Sequence, residues 1–252
     1  MFMRFLHLKI NTDFIIQFQN FYESTVLSEL QKISGCLFAG LIKSGPEENE
    51  FASITFWETQ EQAENYENSS VFQNLIEKVK PFLSESTEWK VQLSDKMQLE
   101  YTPVLEEPII KKFNVADSAD DTGEINAKTQ QMYIRIVSMK IQEGKLDEFK
   151  ELYHNKVIPA LKSTQGCRHV FLSQSIEEEN EFISVTIWDN KQCADAYEAS
   201  GKFAELVGKL QETFSQFYLW KMQLEKDYRA KVKTSEDMKV EKYNLITGKS
   251  YL

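Results

Sequence analysis

Hydrophobic positions in the N-terminal part of the chain change period from segment to segment. Phe2 to Ile10 is β-like, and from Asp13 onward Phe14, Phe18, Phe21, Tyr22, Val26, Leu30 and Ile33 recur at the spacing of one helix face. Gly35 stops that helix in the way a C-terminal glycine does. Cys36 to Lys43 reads as a strand, Ser44 to Asn49 as a hairpin turn, and Phe51 to Trp57 as the returning strand. Gln60 to Leu83 is helical with a break at Ser69–Ser70, and Glu88 to Leu93 is the next strand. The order is β-α-β-β-α-β, which predicts an α+β, ferredoxin-like plait.

The plait is written twice. Displaced by 131 residues, the chain aligns with itself without a gap over about 93 positions. Asn49 to Trp57 lies on Asn180 to Trp188, Gly35-Cys36 on Gly166-Cys167, and Trp89 to Leu93 on Trp220 to Leu224. After a one-residue slip, Ile110 to Val115 lies on Val240 to Leu245, so each unit ends in one more short strand. The stretch from Ala116 to Gln131 is polar and turn-rich, as a linker is. These marks divide the chain into a first unit (1–116), a linker (117–131) and a second unit with a C-terminal strand and tail (132–252). A plait carries helices on one face of its sheet, so the other face needs cover. Two units in one chain supply it by stacking sheet on sheet, an intramolecular pseudo-dimer. The extra strands near 110–115 and 240–245 could protect the sheet edges by crossing between units. Those edges and the tail from Asp227 also leave room for a further homodimer.

Composition narrows the function. The 252 residues carry a formal charge of −10, with 42% hydrophobic and 12% aromatic residues. Such a globular, acidic chain without a basic patch argues against nucleic-acid partners. No apolar run reaches the roughly 18 residues of a membrane span. Three cysteines (Cys36, Cys167, Cys193) cannot complete a disulfide framework, and free thiols point to the cytoplasm. There is no Gly-rich phosphate loop, no metal-ligand spacing and no nucleophile elbow, so neither a cofactor nor a metal is expected.

Candidate chemistry comes from residues that recur in both units. Trp57 and Trp188 end a strand whose one face also carries Ser53 and Thr55, or Ser184 and Thr186. Aromatics mixed with small hydroxyls can line a cavity for a flat ligand, and core tryptophans with polar neighbours are the alternative. Tyr66 and Tyr197 fall nine residues later, on the helix that would cover such a cavity, where a phenol could hand a proton to a ligand oxygen. Arg4 and Arg135 could bind a carboxylate or enolate, or close structural ion pairs. His7 is a further ligand-binding candidate, although no histidine recurs. Because His7, His154 and His169 break the symmetry, the two sites are expected to be unequal. Cys36 and Cys167 read as small buried hydrophobes.

Gly35-Cys36, Trp57, Ala63, Tyr66, Ser69 and Phe72, repeated as Gly166-Cys167, Trp188, Ala194, Tyr197, Ser200 and Phe203, resemble the antibiotic biosynthesis monooxygenase (ABM) domain. The resemblance covers about 90 residues of each unit and implies a dimeric α+β barrel. It also implies a cofactor-independent monooxygenase (an oxidoreductase) acting on a small aromatic, phenolic or polyketide-like substrate. Its catalytic residues would be Tyr66, Tyr197, Arg4 and Arg135. The haem-degrading branch of the same fold places a histidine where this chain has Ile76 and Val207, and a second tryptophan where it has Tyr66 and Tyr197. The polyketide-oxygenase branch has an asparagine in place of Ser53 and Ser184. A non-catalytic module for small hydrophobic ligands is the other reading, since fold alone does not give function.

Overall fold

The computed structural model describes residues 1–93, 99–105, 109–118, 132–215 and 238–251. The first unit contributes β1 (Phe2–Lys9), α1 (Ile15–Phe21), α2 (Leu27–Leu30), β2 (Cys36–Ser44), β3 (Glu50–Trp57), α3 (Gln60–Glu67) and α4 (Ser70–Val79). It continues with β4 (Glu85–Leu93), β5 (Leu99–Leu105) and β6 (Ile109–Ser118). The second repeats the pattern in β7 (Tyr133–Lys140), α5 (Leu146–Leu152), α6 (Ile158–Lys162), β8 (Cys167–Ser175), β9 (Glu181–Trp188), α7 (Lys191–Ala199) and α8 (Lys202–Leu210). The last described strand is β10 (Met238–Ser250). The counterpart of β4, expected at Trp220 to Leu224, lies outside the described residues, as does most of the expected linker.

Eight strands form one closed antiparallel barrel in the order β1-β3-β2-β10-β7-β9-β8-β6. The predicted crossing is present. β6 pairs with β1 of its own unit and β8 of the other, and β10 pairs with β7 of its own unit and β2 of the other. Instead of two stacked sheets, the units share one sheet without an open edge. The sequence reading is corrected at Glu88–Leu93. That segment lies in β4, which leaves the barrel and pairs with β5 as a separate hairpin, while β6 takes the edge position beside β1.

Strand alternation sorts the side chains. Met3, Phe5, Ala52, Ile54 and Phe56, with their counterparts Ile134, Ile136, Ile183, Val185 and Ile187, fill the barrel interior. Phe56 meets Phe171 of the other unit there, ring centroids 5.1 Å apart. The opposite strand faces pack under the helices as two separate cores, one per unit. Gly35 (φ +83°) and Gly166 (φ +80°) adopt the left-handed conformation after the first helical layer. A Cβ on Gly166 would come within 2.6 Å of the Cys193 Cβ, so glycine is required both for backbone and for space.

Candidate functional site

Among the described residues, each unit has a cavity between the outer barrel face and its helices. The first is lined by Arg4, Tyr22, Ser53, Thr55, Tyr66 and Phe72 together with aliphatic side chains. The second is lined by Arg135, Tyr153, Ser184, Thr186, Tyr197 and Phe203 with theirs. Each holds about 30 Å³, room for about two water molecules. The linings correspond position for position except that Phe18 lines only the first and Phe214 only the second, and no histidine is in either. The histidines that break the symmetry of the sequence therefore do not reach these linings, which differ instead at Phe18 and Phe214.

Arg4 and Arg135 are 2% and 3% exposed. Arg135 Nε donates to Glu198 Oε1 at 2.7 Å, and Arg4 Nε lies 3.4 Å from Glu67 Oε2. Phe72 and Phe203 stack under the guanidinium groups, 4.6 and 4.0 Å from ring centroid to Cζ. One nitrogen, Nη2, has no hydrogen-bond partner in either arginine. Burial lowers the Arg4 pKa against the raising influence of Tyr66 and Glu67.

Tyr66 and Tyr197 descend from α3 and α7 onto the same cavities. Ser69 fixes the corner that follows: its hydroxyl donates to the Tyr66 carbonyl at 2.6 Å and accepts from Phe72 N–H. That corner brings a phenol and a phenyl ring, in edge-to-face contact with each other, against one guanidinium. Burial pushes the Tyr66 phenol well above its ordinary value, although the Arg4 charge pulls it down, and raises Tyr197 to about 12. Both are neutral donors at physiological pH.

The tryptophans are placed differently from the sequence reading. Trp57 and Trp188 are fully buried and outside both linings, packed against Tyr66 and Tyr197 at centroid distances of 5.2 and 5.1 Å. Their Nε1–H groups donate to Thr55 and Thr186 Oγ1 at 2.9 Å. Those hydroxyls in turn donate to the Arg4 and Arg135 carbonyls. The threonines thus line the cavities with hydroxyls already engaged, and the Trp–Thr pairs brace the tyrosine and arginine. His7 also falls away from the site: it follows Phe5 on the interior face of β1 and stacks on that ring, while Arg4 and Leu6 face the cavity. Cys36 is buried, its thiol raised to about 12 by desolvation, consistent with a packing role.

Two further participants were not singled out from sequence. Between α1 and α2, and between α5 and α6, the helix widens into a π-turn at Tyr22–Val26 and Tyr153–Val157. The first residue of each turn reaches across to the barrel: Tyr22 Oη lies 2.7 Å from Ser53 Oγ, and Tyr153 Oη 2.5 Å from Ser184 Oγ. Glu67 and Glu198, the arginines' carboxylate partners, are the others. These four residues form two pairs that are identical between the units, which was the available signal.

The buried phenols carry a pH prediction. Tyr22, Tyr66, Tyr153 and Tyr197 all hold their protons more tightly folded than free, chiefly through desolvation. Their contribution to stability is complete below the unfolded value of about 10 and is lost as pH rises through the folded values. Denaturant midpoints should stay flat approaching pH 10 and fall steeply between about pH 10 and 12. Tyr22→Phe with Tyr153→Phe should make that fall shallower.

A closed antiparallel barrel of two ferredoxin-like units, helices outside and one arginine–tyrosine cavity per unit, defines a dimeric α+β barrel fused into one chain. The chain belongs to the antibiotic biosynthesis monooxygenase family, whose sequence profile matches residues 1–78 and 132–209. Among solved structures, a candidate monooxygenase from Fusobacterium nucleatum superposes with a TM-score of 0.68 at 8% identity, covering 99% of this chain and 94% of that one. A candidate monooxygenase from Lactobacillus acidophilus gives 0.64 at 9% identity, covering 99% and 96%. An anthrone oxidase-like protein gives 0.59 at 13%, covering 99% and 93%. At these identities the likeness concerns the fold. Comparison with curated proteins gives no match. Among the described residues, no helix is long and apolar enough to cross a membrane, and no group of His, Cys, Asp or Glu could hold a metal ion.

Proposed function

We propose that the chain is a cofactor-independent monooxygenase acting on a small aromatic substrate bound as its phenolate, with one site in each unit. The observation that carries this reading is a buried guanidinium with an unpartnered N–H, set in a largely apolar cavity beside a phenol that burial keeps neutral. The arginine favours the phenolate, whose proton leaves to solvent. The electron-rich ring passes one electron to O₂, and the radical pair joins through a new C–O bond at a ring carbon bearing hydrogen. Tyr66 or Tyr197 protonates the distal peroxide oxygen. The tyrosinate then takes the ring proton as the O–O bond breaks and hydroxide leaves, which with the released proton makes water. Phenol and O₂ become quinone and water.

The cavities are far smaller than the roughly 300 Å³ of an ordinary ligand pocket. A ring enters only if α4 or α8 swings outward, and the corners at Ser69–Ser70 and Ser200–Gly201 are where that motion would hinge. The same tight packing favours the second reading, a module that binds small ligands without turnover. Oxygen uptake by chelator-treated protein, assayed against polycyclic phenols and hydroquinones, separates them. Uptake above a boiled control is expected, and Tyr66→Phe with Tyr197→Phe should lower kcat by about a hundredfold. Ligands that bind without oxygen uptake would identify the binding module.

A further inference from the structure

We infer that each cavity is built for a ligand presenting two acceptor oxygens, at least one of them anionic, such as a carboxylate or a phenolate flanked by a carbonyl. Two independent groups carry this. The first is the arginine Nη2, buried and without a partner in both units. Left so, a guanidinium N–H in an apolar enclosure is costly, and a negative oxygen is its best partner. The second is the hydroxyl pair, Tyr22 with Ser53 and Tyr153 with Ser184. Each pair has two hydrogens and uses one between its members. Among the described residues no other group shares a hydrogen bond with these hydroxyls, so one O–H per pair remains to donate.

The arginine, the tyrosine and the serine that carry these donors line the same cavity in each unit. The arginine is the one charged residue in either lining. A neutral hydrocarbon would leave both donors unmet, and a cation would face a like charge. The π-turn matters here, because it is the local widening that begins at the tyrosine of the pair. For the proposed oxygenase, the substrate class narrows to an aromatic phenol with a neighbouring carbonyl or carboxylate. The phenolate sits at the arginine and the second oxygen at the hydroxyl pair. That narrowing rests on the oxygenase reading, whereas the two-acceptor ligand rests only on the donors.

The test titrates the full chain with acetate, which approaches the space present, and with acetamide, which has the same shape without the charge. The indole signals of Trp57 and Trp188 report each unit by NMR. Acetate is expected at two sites per chain, at least about tenfold tighter than acetamide. Tyr22→Phe with Tyr153→Phe should weaken acetate about three- to tenfold and leave acetamide within twofold. A thermal melt checks that the variant is folded, and Ser53→Ala with Ser184→Ala provides a second removal of the pair. Acetate binding no tighter than acetamide, absent, or unchanged in both sets of variants overturns the inference. Benzoate tests ring entry separately. Acetate binding without benzoate binding would leave the two-acceptor site intact and contradict the aromatic oxygenase, and oxygen uptake with no preference for acetate would do the reverse.

Discussion

Turnover should survive the loss of either arginine and not the loss of both. Because each cavity has its own guanidinium and the same tyrosine, serine and threonine around it, Arg4→Met or Arg135→Met alone is expected to leave about half the wild-type kcat. The double replacement should reduce it about a hundredfold or more, because nothing else in either lining is positively charged. Stability must be separated from this effect. Removing Arg4 takes a cation away from a Glu67 carboxylate that is 23% exposed, so the cost should fall below the 3–5 kcal/mol of a fully buried pair, about 1–3 kcal/mol. Adding Glu67→Gln to Arg4→Met should recover most of that stability and none of the lost activity. Steady-state rates and thermal melts on the four proteins decide it. Recovery of activity together with stability would reduce the arginine to a structural ion pair.

The second large effect concerns the exchanged strands. Ending the chain at residue 237 removes β10, which stands between β7 and β2. Seven residue pairs join it to each neighbour, with a bulge between Leu245 and Thr247 on the β2 side. Tyr243 and Leu245 also leave the barrel interior. The truncated chain should therefore show two open edges, no cooperative thermal transition and self-association. Deleting only Tyr251 and Leu252 removes the Tyr251 hydroxyl's bond to the Leu27 carbonyl and should cost about 1 kcal/mol. Cooperative melting of the 237-residue chain near the full-length temperature would show that the units stand alone. The intact chain, by the same logic, should unfold in one step.

Much of this architecture was legible because the chain carries its own alignment. Helical spacing placed the covering helices, the break at Ser69–Ser70 became the α3–α4 corner, and the slipped match at 110–115 and 240–245 located the exchanged strands. The reading failed where partner choice is non-local. Glu88–Leu93 has a strand's pattern, but pattern does not say which strand it joins, and β6 took its place beside β1. The same limit applied to the site. Arg4 and Tyr66 were candidates because they recur in both units, and strand parity and helix position are what bring them to the cavity. Trp57 shares that strand face, yet the ring of Tyr66 lies against it, and Thr55 shows a hydroxyl whose bonds are already made. His7 sits one step out of parity with Arg4 and so faces the interior. The Tyr22–Ser53 pair joins residues 31 positions apart through a π-turn, a helix irregularity that no period in the sequence announces.

The most direct measurement is the fate of ¹⁸O₂ during turnover by chelator-treated protein, followed in product and solvent by mass spectrometry. One labelled atom in the quinone and one in water per O₂ consumed, lost together in the Arg4→Met, Arg135→Met double variant, is the result predicted here. Unlabelled product, or labelled product formed at an unchanged rate by that double variant, would contradict it.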